Sequence, residues 1–302
     1  MQSSIRPLNA AGFLALGALL WPAPAVAQQS SDTDSGIRTP RVATAVRVER
    51  LAPRLDGVLD DEIWQNAPVF SGFLQRDPDE GEPGTEQTEF RVAYADDAIY
   101  VAVRAYDSHA DQISAHLTRR DAFSPSDWIG IQIDSYRDRR TGFEFVVNPA
   151  GVKRDRYLYD DNSSDGSWNA VWDVATMIDA GGWSAEFRIP LSQLRFSQAE
   201  DNVFGFNVYR DINRNNERQY WRLLPKGESG VVSLFGDLVG LRGISPPRRV
   251  EVLPYTVMSN ATSPAQDGNP FQTGTSRSMT MGADVNIGLT SALTLSATFF
   301  PD

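Results

Sequence analysis

The residues best placed by type and spacing to do chemistry lie in Asp127-Trp128-Ile129-Gly130-Ile131-Gln132-Ile133-Asp134. Side chains alternate along a strand, so Ile129, Ile131 and Ile133 share one face while Trp128, Gln132 and Asp134 share the other. With the isoleucines in a core, an indole beside an amide and a carboxylate faces outward, and Gly130 leaves a shallow trough. That is equipment for a pyranose ring, whose C–H face needs an aromatic plate and whose hydroxyl rim needs planar polar groups. The plainer alternative is that a loop covers Trp128, because tryptophan is highly buried on average. Trp221, in Arg218-Gln219-Tyr220-Trp221-Arg222, is the second candidate plate. Upstream of it stand Arg210, Asp211 and Arg214, and guanidiniums clamp hydroxyls or stack on an indole. Its plainer alternative is an edge strand whose arginines face water. Trp64, Trp168, Trp172 and Trp183 read as core, Trp183 falling in phase with Ala185, Phe187 and Ile189.

Two further chemistries can be weighed. Asp161, Ser163, Asp165 and Gly166 reproduce the D-x-S-x-D-G opening of a calcium loop, in which glycine permits the sharp turn around the ion. The bidentate Glu of the twelfth position is missing, since Trp172 stands there, so a solvated acidic turn is the default. A glycoside hydrolase needs two carboxylates roughly 5–9 Å apart across the scissile bond. Glu144, Asp155, Asp160 and Glu186 are available, without a signature spacing. No G-x-S-x-G elbow, phosphate loop or dinucleotide fingerprint occurs.

Composition narrows the field. The 302-residue chain has no cysteine and only two histidines, His109 and His116, which removes thiol chemistry and disulfides and leaves little for a histidine triad or zinc site. Its 39 acids outnumber its 28 bases for a net charge of −11, so nucleic acid is not an expected partner. The 15 Phe, 9 Tyr and 7 Trp supply a sizeable core with rings left over.

The elements that must position these residues follow from punctuation. Arg6, the apolar run Phe13 to Trp21 and Ala25-Val26-Ala27 read as an export leader, residues 1–27, too short to span a bilayer as a helix. Residues 28–45 are polar and aperiodic and read as a flexible tether. From 46 to 244 short alternating runs are broken by Gly, Asp, Asn and Pro. They include Thr88 to Tyr94, Ala98 to Tyr106, Asp127 to Tyr136, Gly142 to Val147, Trp183 to Ile189 and Val203 to Tyr209. This texture predicts an all-β, antiparallel β-sandwich rather than βαβ units. Helical turns are expected only over Asp60 to Asn66 and Leu191 to Leu194. Ser245-Pro246-Pro247-Arg248-Arg249 marks a boundary, because two prolines cannot both sit in a paired strand. Beyond it, in 250–302, Val250, Val252, Val285, Ile287, Leu289, Leu293, Leu295, Ala297 and Phe299 alternate with small or polar residues, the dyad signal of outer-membrane strands. Three or four strands fit there against the ~8 that a barrel needs, so the chain is expected to be the first part of a longer protein; the plainer alternative is a last hairpin of the sandwich or a loose tail.

Several stretches resemble the family 9 carbohydrate-binding modules. They are Leu55-Asp56-Gly57-Val58-Leu59-Asp60-Asp61 with Trp64, Phe90 to Asp97 leading into Ile99-Tyr100-Val101, and Asp127-Trp128-Ile129 through Asp134. Asn148-Pro149-Ala150-Gly151 and Gly182-Trp183 with Glu186, Ile189 and Pro190 follow in the family's order. The tail, with Pro254-Tyr255, Gly282-Ala283-Asp284-Val285 and Gly288-Leu289-Thr290, is similar to the opening of the barrel that follows such a module in certain bacterial outer-membrane proteins. The resemblance implies a poly- or oligosaccharide ligand held between two tryptophans, by position Trp128 and Trp221, with Gln132, Asp134 and Arg210 nearby. It also implies structural calcium, for which Asp161, Ser163 and Asp165 are the candidates, a periplasmic or outer-membrane location in a Gram-negative bacterium, and service in polysaccharide breakdown or uptake. The alternatives are a glycoside hydrolase and a plug or protein-binding domain that closes the barrel mouth without meeting a sugar.

Overall fold

Alternation decides the fold. In a computed structural model that describes residues 40–49, 51–246, 250–264, 274–288 and 293–300, the chain is mostly β. The leader expected over 1–27 lies outside the described residues. The strands are β1 Val42–Thr44, β2 Val46–Arg47, β3 Leu74–Asp77, β4 Thr88–Tyr94, β5 Ala98–Tyr106, β6 Trp128–Asp134, β7 Gly142–Val147, β8 Lys153–Tyr159 and β9 Ser163–Asp165. They continue as β10 Asp173–Asp179, β11 Gly182–Pro190, β12 Asp201–Ile212, β13 Glu217–Tyr220, β14 Gly236–Arg242, β15 Val250–Thr262, β16 Thr275–Gly288 and β17 Thr294–Phe299. Among the described residues an α-helix, α1, spans Glu62–Asn66 and a 3-10 turn at Leu191–Gln193 follows Pro190, both where the sequence placed helical turns. Three further 3-10 turns, at Ala110–Gln112, Asn213–Asn215 and Val232–Leu234, lie in connections where the sequence led us to expect none.

Two sheets form a sandwich. The larger runs β1-β14-β12-β6-β7-β8-β9, with β13 also on β12 and β3 on β13; the smaller runs β10-β11-β5-β4-β2. β12 is long because it serves two partners on one side, β14 with its first half and β13 with its second, while β6 lies along the other. Two short N-terminal pairings are parallel rather than antiparallel, β1 with β14 and β2 with β4. They correct the tether reading at its end: Val42–Thr44 is a strand, and Ala43 is wholly buried.

The core lies between the sheets. Ile129, Ile131 and Ile133 of β6, Phe143 and Phe145 of β7 and Phe206 of β12 meet Phe90 and Val92 of β4, Val101 and Val103 of β5 and Phe187 of β11. Trp172 stacks on Phe187 with ring centroids 5.8 Å apart. Burying each isoleucine stabilises the fold by about 1.5–3 kcal/mol, and a one-residue slip of β6 would expose all three, which pins its register. Trp183 is likewise core, in phase with Ala185, Phe187 and Ile189. Trp64 belongs to a separate cluster on the outer face of the smaller sheet, where its indole donates to Glu186 Oε1 at 2.8 Å.

β15, β16 and β17 form a third, antiparallel sheet, and among the described residues β15 and β17 are its edges. Its register brings the alternating apolar residues together: Val250 faces Ile287, Val252 faces Val285, Val285 faces Ala297 and Ile287 faces Leu295. Leu289 lies outside the described residues.

Candidate functional site

The isoleucine face of β6 is core, as alternation requires, but the opposite face is not an open plate. Trp128 is 3% exposed. It packs with Val146, Val152, Tyr209, Leu224, Val232 and Phe235, most of them from the loop between β13 and β14 and from the neighbouring strands. Its Nε1 donates to the Ser124 carbonyl at 3.3 Å, and the Arg154 guanidinium lies 5.2 Å above its ring. Nor does Gly130 leave a trough. A Cβ there would fall 2.0 Å from Tyr209 Cε1, so the Tyr209 ring fills that space.

The remaining candidates are structural as well. Gln132 donates to Glu144 Oε1 at 3.0 Å beneath the same cover. Asp134 is buried and accepts the Arg139 N–H at 2.9 Å; burial outweighs this and the other backbone hydrogen bonds and pushes its pKa up to about 6. Trp221 belongs to the main core, edge-on to Phe90 at 5.2 Å, so it faces no cleft and no second copy of the plate exists there. Arg210 points to the inner side of the larger sheet, where Nη1 donates to the Tyr106 carbonyl at 2.8 Å and Nη2 to Asp107 Oδ2 at 3.3 Å. With both indoles covered, the two-tryptophan sandwich is corrected: neither ring presents a face to solvent.

The calcium loop is corrected too. Asp161 Oδ1 accepts the N–H groups of Val231 and Ser233, and its Oδ2 accepts the Ser233 hydroxyl. Ser163 and Asp165 are on β9, paired antiparallel with Tyr157–Tyr159, and Asp165 Oδ1 accepts from Ser167. Extended backbone advances about 3.3 Å per residue and does not wind the three groups around one ion. The acids weighed for hydrolysis are engaged elsewhere. Glu186 holds the Asp56 and Gly57 N–H groups and the Trp64 indole, and Asp155 holds Arg120, the Ala170 N–H and the Trp172 indole. Asp160 meets Arg140 at 3.1 Å on the surface.

What the structure does open is a cleft at the end of β6, about 260 Å³, between the loop before β6 and the tip of the β12–β13 hairpin. Phe123, 77% exposed, stands on one wall. Asn213 and Asn216 form the other, Asn216 in the left-handed conformation that turns the hairpin (φ 49°). Within the cleft the Arg218 guanidinium grips Asp211 with two hydrogen bonds, Nε to Oδ1 at 2.6 Å and Nη2 to Oδ2 at 2.5 Å, and Trp128 also contributes to the lining. Those bonds, ahead of burial, hold the Arg218 pKa above its ordinary value. Asp127 ties the walls together, its Oδ1 accepting the Asn213 N–H at 3.0 Å. The cleft thus offers an exposed ring, a planar ion pair and amide groups. Phe123 was the missed residue, and its signal was a lone aromatic in the polar stretch Arg119 to Ser126.

Comparison with known proteins bears on the sandwich. The model of the family described as carbohydrate family 9 binding domain-like matches residues 55–226. Similar solved structures include a family 9 carbohydrate-binding module from Caldicellulosiruptor kristjanssonii in complex with glucose, 19% identical, covering 68% of this chain and 100% of that one at a TM-score of 0.48. A family 9 carbohydrate-binding module from the same organism in complex with cellotriose is 18% identical, with 68% and 99% covered and a TM-score of 0.48. A putative carbohydrate-binding protein from Bacteroides uniformis shares the fold at 13% identity, 67% and 99% coverage and a TM-score of 0.52. No curated protein matches. Since the family model spans more than half of its length, the chain belongs to the carbohydrate family 9 binding domain-like family.

Proposed function

We propose that the chain binds carbohydrate in the cleft between Phe123 and the β12–β13 hairpin. Family membership supports the ligand class, and the observation that carries the location is the exposed Phe123 ring beside the planar Asp211–Arg218 pair. The ring packs on the C–H face of a pyranose while carboxylate and guanidinium each bond neighbouring hydroxyls. A cavity of about 260 Å³ suits one sugar ring or a chain end better than the middle of a long glycan, ligand sites commonly running to ~300 Å³ and above. The test is titration calorimetry with neutral gluco-, xylo- and manno-oligosaccharides. At least one should bind, and Phe123→Ala should weaken it tenfold or more without shifting the unfolding curve. Parent-like binding by that variant moves the site elsewhere, and no binding across the panel ends the reading.

We infer further that β15–β17 open an outer-membrane β-barrel, which would put the sandwich at the envelope of a Gram-negative bacterium. The register supports this. One face carries Val252, Met258, Met279, Met281, Leu295 and Phe299, each more than half exposed, with Thr256 among them and Asn260 and Arg277 near the β15–β16 end; the other carries Ser278, Thr280, Asp284, Asn286, Ser296 and Thr298, broken by Leu253, Tyr255 and Val257. An apolar face backed by a polar one is the arrangement of a strand between lipid and a wet lumen. Fractionation of cells making the protein from its native gene tests it: recovery in outer membranes is expected, and recovery in the soluble periplasm overturns it.

A further inference from the structure

Arg91 stands out on the outer face of the smaller sheet. It is half-buried on β4, its Nε is shut off from solvent, and it has no hydrogen-bond or ion-pair partner among the described residues. A shielded guanidinium N–H without an acceptor costs free energy, so it calls for a reason. The cost stands out in a chain with more acids than bases.

The surroundings supply one. Arg91 opposes Ala102 in the β4–β5 pairing, which makes Arg104 its diagonal neighbour on the same face, roughly 7–8 Å away. Both line a cleft of about 280 Å³, separate from the Phe123 cleft and on the other sheet. Arg104 is held in place by Asp179, with hydrogen bonds of 2.8 and 2.7 Å, and lies 5.2 Å over the Tyr106 ring. Glu89, also on this face, is engaged by Gln87 and by the Tyr106 hydroxyl rather than by Arg91. The Arg104 charge is therefore paired with Asp179, whereas among the described residues no carboxylate comes within ion-pair distance of Arg91.

We propose that this cleft is a second ligand site that takes a carboxylate, with Arg91 as its principal donor, and that the carboxylate belongs to a uronic acid residue of an acidic polysaccharide. A guanidinium fork matches a carboxylate with two parallel hydrogen bonds, and the half-exposed Tyr106 and Met177 at the rim offer apolar contact to a sugar ring. The saccharide source rests on the carbohydrate reading above; the carboxylate preference rests on Arg91.

Calorimetric titration of the full chain with glucuronic acid, glucose and acetate tests the inference. Glucuronic acid should bind more tightly than either of the others. Arg91→Gln should weaken it tenfold or more without lowering the unfolding midpoint, Arg91→Lys should keep part of it as a point charge, and Phe123→Ala should leave it intact. That last arm separates this site from the Phe123 cleft, so failure of one does not mimic failure of the other. Acetate binding as tightly as glucuronic acid, and losing it in Arg91→Gln, upholds the carboxylate site and overturns the sugar source. Absent binding of glucuronic acid, equal binding of glucose, or parent-like binding by Arg91→Gln overturns the proposal.

Discussion

Arg210 and Asp107 form an ion pair with both side chains wholly withdrawn from solvent, Nη2 to Oδ2 at 3.3 Å. Asp107 also receives Arg214 at 2.7 Å and the His109 N–H at 2.8 Å, while Arg210 supplies the Tyr106 and Gln87 carbonyls. Burial pushes the Asp107 pKa up, but the Arg214 hydrogen bond, the His109 N–H and the two guanidinium charges outweigh it and leave it below the usual carboxylate range. The pair fastens the end of β12 to the end of β5, across the two sheets.

Removing one member should therefore be costly. Asp107→Ala leaves the buried Arg210 guanidinium its carbonyl partners but no carboxylate, and a loss of about 3–5 kcal/mol in urea unfolding is expected. Combined with Arg210→Met, the loss should be smaller than the sum of the two single losses, because no orphan charge remains. Strict additivity would show that the pair is not coupled.

Gly130→Ala tests the filled trough. The added methyl meets the ring of Tyr209, which is itself packed against Tyr220 at 5.5 Å and beneath Arg218 at 5.2 Å and cannot swing aside. A destabilisation of about 1–3 kcal/mol is expected. Shortening the ring in Gly130→Ala/Tyr209→Leu should return part of it. An unchanged midpoint in the single variant would mean that the space is open after all.

Stability should peak on the acid side of neutrality. The folded pKa of Asp134 is about 6 against an unfolded value of 3.8, so the folded chain takes up the proton first. Stability then rises as pH falls through that interval, by up to about 3 kcal/mol from this group, and buried Asp127, raised chiefly by burial, acts in the same direction. Below 3.8 the sign reverses, because Asp107, Asp161 and Asp179 have lowered folded values and are protonated first in the unfolded chain. Thermal melts from pH 8 to pH 3 should show the rise and the collapse, and Asp134→Asn should flatten the rise. A parent-like slope in that variant would assign it to other groups.

These residues also show what the sequence makes legible. Ala98–Tyr106 and Gly142–Val147 are read end to end because every second side chain meets the core. Lys153–Tyr159 is not, since its inward positions include Lys153 and Asp155, whose burial makes sense only once Trp172 and Arg120 arrive from elsewhere in the chain. Trp128 is misread for the same kind of reason. Its face is settled by Leu224, Val232 and Phe235, about ninety or more positions away, and no local pattern announces a loop that folds back over a strand. The open ring, Phe123, is on a loop where periodicity says nothing.

The third sheet carries the remaining prediction. Val285 lies between Val252 and Ala297 on the apolar face, and Ser296 lies opposite Asn286 on the polar one. If the apolar face meets lipid, an arginine there must be dehydrated, at about 2–4 kcal/mol near the bilayer midplane, whereas the same charge toward a wet lumen keeps its water. In cells making the protein from its native gene, Val285→Arg should lower the amount recovered in outer membranes, and Ser296→Arg should leave it near the parent level. The two sites are on adjacent strands, so a general effect of added charge on folding or export would strike both alike. Equal loss, or equal tolerance, would show that the two faces do not meet different solvents, and the barrel reading of Val250–Phe299 would fall with it.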